Sequence, residues 1–525
     1  MIAPMNYLLL TMLVLPLLGL LAGAMAGESL VGRRFVLGLV LVNLGVAAVL
    51  AVRVTLGSAF LVPGPWGLAL VGDRLGVLFS LLAASIQATV LPYAARCLER
   101  SVFRRFAVLS QALLTASELT GMAGSFGALV LGWVAASLAV YLLVSNTVPG
   151  QRGARQLGVA FMLGDGALVG ALAITRHVTG GASWSALPAV GASLRAIRLS
   201  LGPVVVTAAD AVAVLIVVSA IVRSALWPGP RWLSSTLAAP TPVSALLHAG
   251  VVNAGGLLLI RLSPLLVSTP GFPLALAAGL GTAALSSVGT VVRSDVKGAL
   301  VHSTMSQMGF MMAECAVGAY TLAVFHLVAH AMYKASLFLN SGDGIAATVR
   351  DRQSSALAVR APINLRLIKA AIGGAGLFLL ALVAPLTHVV RGDGALTVTF
   401  AVVTSGALLW GWLERKQPLA QELWTMVMVA AGGLAYLIWS SVVVGWLGAG
   451  WSPAVPTLLS PSWLIAALLA AGGFTALVAC AAPPRVVAQL QARALWASWR
   501  MPSPKGIPSI ARPRGVEVVS CKESV

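Results

Sequence analysis

Residues 7–26 read YLLLTMLVLPLLGLLAGAMA, without one charged side chain. A hydrocarbon core about 30 Å thick is crossed by about 20 apolar residues in a helix, so this stretch is long enough to span a bilayer. It begins without a basic segment and lacks a clear cleavage site, and is read as a retained span. On the same ruler, spans are expected near 6–26, 35–56, 75–95, 106–122, 124–145, 158–176, 203–223, 242–261, 273–292, 297–317, 320–341, 366–387, 397–413, 424–446 and 462–481. The composition agrees: 59% of the 525 residues are hydrophobic and 9% are charged, with mean hydropathy +0.95. A soluble domain carries about 25% charged residues. The fold class expected is therefore all-α, a polytopic transmembrane helical bundle of about fifteen spans.

The net charge of +19 does not point to nucleic acid, because the basic residues neither form a single run nor alternate with aromatic residues in a polar segment. They flank apolar stretches: Arg33 and Arg34; Arg96, Arg100, Arg104 and Arg105; Arg152 and Arg155; Arg350, Arg352, Arg360 and Arg366; Arg415 and Lys416. With the N-terminus outside, these loops and the basic tail all fall in the cytoplasm, and the opposite loops are read as poor in Lys and Arg. The division expected is 1–105 N-terminal helices, 106–345 translocation core, 346–484 C-terminal helices and 485–525 basic cytoplasmic tail lying on anionic lipid or a partner. Cys97, Cys315, Cys480 and Cys521 have no paired spacing and are read as bystanders.

Trp227-Pro228-Gly229-Pro230 and Pro240-Thr241-Pro242 interrupt the helical pattern. They mark either an ordinary loop or a broken helix near 223–242, and a break at membrane depth is tolerated only where protein or a water-lined cavity satisfies the backbone.

Ionisable groups inside spans cost about 2.5–3.5 kcal/mol each at the bilayer centre, so they are functional candidates. Asp165, Asp210 and His248 lie in the sixth, seventh and eighth spans, and His326, His330 and Lys334 in the eleventh. The i, i+4, i+8 spacing of the last three puts them on one helical face. Histidine titrates near neutral pH, so this stripe reads as a proton relay; it also reads as hydrogen-bonding glue between helices. Asp165 is equally a structural partner to a basic residue or a transport group, and Glu118 and Glu314 are weaker candidates. His326 and His330 have the spacing of a zinc-binding helix, but Leu327 stands where the general base would follow, so no metalloprotease is implied. No cofactor, metal or catalytic residue is expected.

The segment Ala239-Pro240-Thr241-Pro242-Val243-Ser244-Ala245-Leu246-Leu247-His248-Ala249-Gly250 resembles the antiporter-like membrane subunits shared by respiratory complex I and multi-subunit cation/proton antiporters. So do Asp295-Val296-Lys297 followed by His302-Ser303-Thr304-Met305-Ser306-Gln307-Met308-Gly309, and Phe325 to His330 leading to Lys334-Ala335. The resemblance covers roughly residues 100–345. Within it, Val251-Val252-Asn253-Ala254-Gly255-Gly256 and Arg261-Leu262-Ser263-Pro264-Leu265 are more similar to the membrane subunit of the DAB inorganic-carbon transporters, and the chain leaves no room for a long lateral helix after its last span. The resemblance implies a large peripheral zinc-dependent, carbonic-anhydrase-like partner (DabA-like), and CO₂ or bicarbonate uptake coupled to protons or sodium ions at the inner membrane.

Carried over by position, the ion pathway comprises Asp165, Arg223, His248, Lys297, His326, His330 and Lys334. Two positions depart. The Trp-Glu of the fifth span reads Trp133-Val134, and the seventh-span lysine is Arg223, which effectively never deprotonates. No Lys-Asp or Lys-Glu pair stands in the twelfth span. Three readings stand: the carbon-transporter subunit, an ion-translocating subunit of a complex I-like or Mrp-type assembly, and a non-transporting membrane anchor, which the missing Glu favours.

Overall fold

The computed structural model describes residues 2–340, except 58, 147–150, 181–185, 202–203, 230 and 293–295, together with a few positions between 424 and 447. The spans expected at 366–387, 397–413 and 462–481, most of that at 424–446, the basic loops of 350–366 and 415–416, and the tail lie outside the described residues.

Two long apolar helices, α1 (Ile2–Ala26) and α2 (Leu30–Leu56), lead into a hairpin of β1 (Phe60–Pro63) and β2 (Ala69–Gly72). Then come α3 (Arg74–Cys97), α4 (Arg100–Gly121), α5 (Phe126–Ser145), α6 (Gln151–Thr179) and the short α7 (Leu187–Ala196). A second hairpin, β3 (Arg198–Leu201) and β4 (Val204–Thr207), precedes α8 (Ala208–Arg223). Short helices α9 (Arg231–Ser235), α10 (Thr241–Ala249), α11 (Ala254–Arg261) and α12 (Ser263–Leu266) follow, then α13 (Gly271–Val292), α14 (Val296–Ala316) and α15 (Tyr320–Leu339). Local chemistry sets the starts: the side chains of Ser29, Asp73 and Ser125 accept from backbone N–H groups three residues on.

The polytopic helical fold is as the hydropathy implies, with three departures. Both hairpins lie in connections. Residues 204–207, read as part of the seventh span, belong to the second hairpin, and helix begins only at Ala208. There Thr207 and Asp210 form a capping box, Thr207 N–H donating to Asp210 Oδ2 at 3.0 Å and Asp210 N–H to Thr207 Oγ1 at 3.1 Å. Asp210 is thus a helix cap at a span end, not a group inside it. Finally, Cys97 is disulfide-bonded whereas Cys315 is a buried free thiol.

Successive long helices alternate in direction, so the loops gather at two ends. At one, Arg104 pairs with Glu28 at 3.2 Å and Arg33 Nη1 donates to the Ala95 carbonyl at 3.2 Å. At the other, Arg261 forms a salt bridge with Asp73 and donates to the Gly121 carbonyl at 3.1 Å, while Leu70 bridges Ala123. Trp446 joins this second end, donating to Thr55 Oγ1 at 2.5 Å and accepting from Arg74. The second end is not poor in base: Arg53, Arg74, Arg176, Arg195, Arg198 and Arg261 lie there. Arg74, Arg195 and Arg261 are spent on tying loops together, Arg195 donating to the Val267 carbonyl at 3.4 Å.

The break after Arg223 lies at depth. Arg223 meets Asp165, 14 residues into α6, which is about 21 Å from that helix's start. The exposed backbone groups find partners: Leu226 N–H donates to Ile221 O (2.9 Å), Trp227 N–H to Thr282 Oγ1 in α13 (2.9 Å), and Trp232 Nε1–H to Val222 O (2.8 Å). A second break, unforeseen, divides 242–261 at a 3₁₀ turn over Val251–Asn253. The two breaks touch: Ser224 Oγ donates to Val252 O at 2.9 Å, and Gly255 packs so tightly that a Cβ there would lie 2.1 Å from Ser224 Oγ.

Candidate functional site

The α10–α11 break, α14 and α15 enclose a line of polar side chains running from one end of the bundle to the other. At the end carrying Arg33 and Arg104, half-buried Lys297 donates to the Ala239 carbonyl at 3.2 Å. Deeper, Lys334 is 0% exposed and donates to Ser303 Oγ at 2.9 Å and Leu300 O at 3.4 Å. Among the described residues no carboxylate pairs with it.

His248 comes next, its ring stacked on Phe338 with centroids 4.2 Å apart and its Nδ1 3.1 Å from Thr304 Oγ1. The Thr304 hydroxyl already donates to Leu300 O at 3.0 Å, so it accepts from His248, whose proton is then on Nδ1. The same logic applies to His330. Asn253 directs its amide N–H at Ala249 O (2.6 Å) and its Oδ1 at His330 Nδ1 (3.2 Å), so His330 Nδ1 donates and Nε2 is left as a buried acceptor without a protein partner. The two imidazoles of α15, His330 and His326, have centroids 6.3 Å apart. His326 Nδ1 lies 3.2 Å from Glu314 Oε2 near the far end of α14.

The sequence-derived set thus divides. His248, Lys297, His326, His330 and Lys334 share one line; Asp165 and Arg223 form a separate pair in α6 and α8. The Arg223 guanidinium donates to Asp165 Oδ1 (3.2 Å), the Trp133 carbonyl (3.0 Å) and Ser137 Oγ (2.5 Å). It lies over the rings of Trp133 and Phe161, at 4.3 and 4.6 Å from their centroids. Val134, where the resemblance expects Glu, is exposed on the outer face of α5 with Leu131 and Leu138, and Asp165 supplies the acid that meets Arg223.

Glu314, weighed as a weaker candidate, completes the line. The other additions, Ser303, Thr304 and Asn253, are neutral residues whose role depends on neighbours from other helices. Only their place in the quoted segments, Ser303 and Thr304 directly after His302 and Asn253 five residues after His248, signalled them.

Residues 123–372 match the family described as NADH:quinone oxidoreductase/Mrp antiporter, transmembrane. The chain is 37% identical over 286 residues to the probable inorganic carbon transporter subunit DabB1 of Halothiobacillus neapolitanus, covering 53% of this chain and 50% of that protein. It is 32% identical over 345 residues to the probable inorganic carbon transporter subunit DabB of Bacillus subtilis, covering 64% and 66%. These matches therefore span half to just under two thirds of the relatives' length. In fold it is similar to a chain of the Mrp complex from Dietzia sp. DQ12-45-1b, with TM-score 0.59 at 23% identity over 95% of this chain and 60% of that one. On these matches and on the motifs around His248, His302 and Lys334, the chain is similar to the antiporter-like membrane subunits of the NADH:quinone oxidoreductase and Mrp antiporter superfamily.

Proposed function

We propose that this chain is the membrane subunit of an inorganic-carbon uptake complex, in which proton or sodium flow through the bundle is coupled to a peripheral carbonic-anhydrase-like partner holding zinc. The observation that carries the transport reading is the order Lys297, Lys334, His248, His330, His326, Glu314 across the bundle. Titratable groups joined by hydroxyl and amide side chains can pass protons through intervening water, and six such polar groups exceed what helix packing requires. The carbon reading comes from the DabB relatives. The translocation core is assigned to 106–345, with the chemistry on carbon left to the partner.

The test is growth of a carbonic-anhydrase-deficient cell at ambient CO₂. Co-expression with the partner should restore growth and this chain alone should not; rescue by the chain alone would refute the division of labour. The second reading, an ion-translocating subunit of a complex I-like or Mrp-type assembly, is favoured by the family match. Purification of the native complex separates the two by what co-purifies: a carbonic-anhydrase-like protein, or quinone-reductase or antiporter subunits.

For orientation, the end bearing Arg33, Arg100 and Arg104 is assigned to the cytoplasm of the inner membrane, with the N-terminus outside. A cysteine in place of exposed Ser101 should be shielded from an impermeant thiol reagent in intact cells and react after lysis; labelling in intact cells would invert the assignment.

A further inference from the structure

Helices α1–α4 precede the matched family segment and hold a second buried acid that the line above does not use. The other charged residues of these helices lie near their ends: none in α1, Arg33, Arg34 and Arg53 in α2, Arg74 and Arg96 in α3, and Arg100, Arg104 and Arg105 in α4. Glu118 is also near the end of its own helix but level with the midpoint of α2, where Asn43 Nδ2–H donates to its Oε1 at 2.6 Å. Glu118 is 0% exposed and Asn43 1%. No basic side chain pairs with the carboxyl among the described residues, and Glu118 stands in the last turn of α4, where helix carbonyls present negative partial charge.

Two atoms of this pair have no partner, Glu118 Oε2 and Asn43 Oδ1. Both are acceptors when the carboxyl is ionised. One proton on Oε2 serves both: the acid O–H donates to Asn43 Oδ1 while the amide N–H donates to Oε1, closing an acid–amide ring. Close by, the interior is polar in a way protein alone does not satisfy. Ser80 Oγ and both amide atoms of Gln111 are buried and unpartnered, Gln111 lying two turns before Glu118 on the same side of α4. Such groups are met by internal water. Gln87 and Ser110, hydrogen-bonded at 2.8 Å, extend the polar run toward the end bearing Arg104.

We propose that Glu118 with Asn43 is a proton-binding site in the α1–α4 bundle, separate from the Lys334 line and loaded through water held by Ser80 and Gln111. Loading transfers one proton from a hydronium ion to Oε2, leaving water and a neutral acid. The site stands independently of the carbon-transport reading.

The experiment is infrared spectroscopy of the full-length chain in lipid nanodiscs at neutral pH, wild type against Glu118→Gln. The amide of Glu118→Gln can make the same two hydrogen bonds, so the bundle should be preserved. Expected is the carbonyl band of a protonated carboxylic acid that is lost in Glu118→Gln and shifts within minutes of transfer to D₂O. Three results overturn the proposal: no such band in the difference spectrum, which means a permanent carboxylate; a band indifferent to D₂O, which means a sealed acid; or a band abolished by sodium chloride at constant pH, which means a cation site. Should Glu118→Gln not assemble, Asn43→Leu reads the same pair, since loss of the amide must move the band, and an unmoved band refutes the ring.

Discussion

Two regions of the bundle each bury a basic residue beside a break in a helix, and they treat it in opposite ways. Arg223 ends α8 with Asp165, Ser137 and a backbone carbonyl accepting from it and two aromatic rings against it. Lys334 sits within α15 with two neutral acceptors and, among the described residues, no counter-ion. A guanidinium so held keeps its proton and its place. An ammonium with one N–H unfilled by protein and histidines on the same helix face can exchange a proton with water between them. We read the first region as a lock on the α5–α6–α8 side and the second as the carrier.

The largest effect expected is at Lys334. Lys334→Met keeps the length of the stem and removes the charge, so transport should fall by about 10²-fold or more while the partner still co-purifies. Lys334→Arg should fail as completely, because it converts the carrier into a group of the locked kind. Near-normal complementation by Lys334→Met would make the stripe helix glue and erase the contrast.

Next in size is the lock itself. Asp165→Leu leaves the Arg223 charge buried, with a side chain 3% exposed, and no acid beside it. Breaking a buried pair from one side costs about 3–5 kcal/mol, so thermal unfolding of the solubilised chain should move well below wild type. If Asp165→Leu is as stable as wild type but inactive, the aspartate is a transport group and the lock reading fails.

How much of this was legible in advance follows from where the information lies. Span length and the His326, His330, Lys334 spacing are written along one helix, and both emerged from periodicity alone. The Glu314–His326 contact is 12 residues apart and crosses between helices, so an acid in an apolar run could be noticed but not assigned. The locations of Val134 and Asp165 relative to Arg223 depend on how α5 and α6 are rotated against α8, and α5, apolar on every face, carries no periodicity that would reveal its own rotation. The strand Val204–Thr207 falls within the expected span 203–223 because Val204, Val205 and Val206 are as apolar in a strand as in a helix. The break at Gly250 was invisible because both of its halves are apolar enough to count as a single span.

That hidden break supports a smaller prediction. Gly255→Ala places a methyl group 2.1 Å from Ser224 Oγ and 2.7 Å from Ala220 O, so either the α8 end or the α11 start must move. Overpacking of this kind costs about 1–3 kcal/mol. Because the contact joins the Arg223 side to the His248 side, Gly255→Ala should lower both thermal stability and transport, and Gly255→Ala with Ser224→Ala should recover part of each. Full stability in the single variant would show that the two regions are not braced against each other at this point.

The smallest effect is expected from Arg223→Lys, and it tests the comparison most directly. Lysine can still reach toward Asp165, so the buried charge stays paired, but a flexible stem and compact ammonium replace the planar guanidinium whose Nη2 meets Asp165, Ser137 and the Trp133 carbonyl. It also gives up part of the stacking on Trp133 and Phe161, a loss of about 1–2 kcal/mol for contacts of this type in a desolvated setting. Stability should therefore drop slightly while transport remains near wild type, in contrast to the failure of Lys334→Arg. The measurement is proton- or sodium-driven uptake by both variants in the same vesicles, normalised to assembled complex. Uptake that collapses in Arg223→Lys would mean that a guanidinium is required on this side for something other than holding α6 to α8. Uptake above wild type would mean that a fixed charge at this position limits flow, and that a titratable residue restores a step the Arg223 side does not perform.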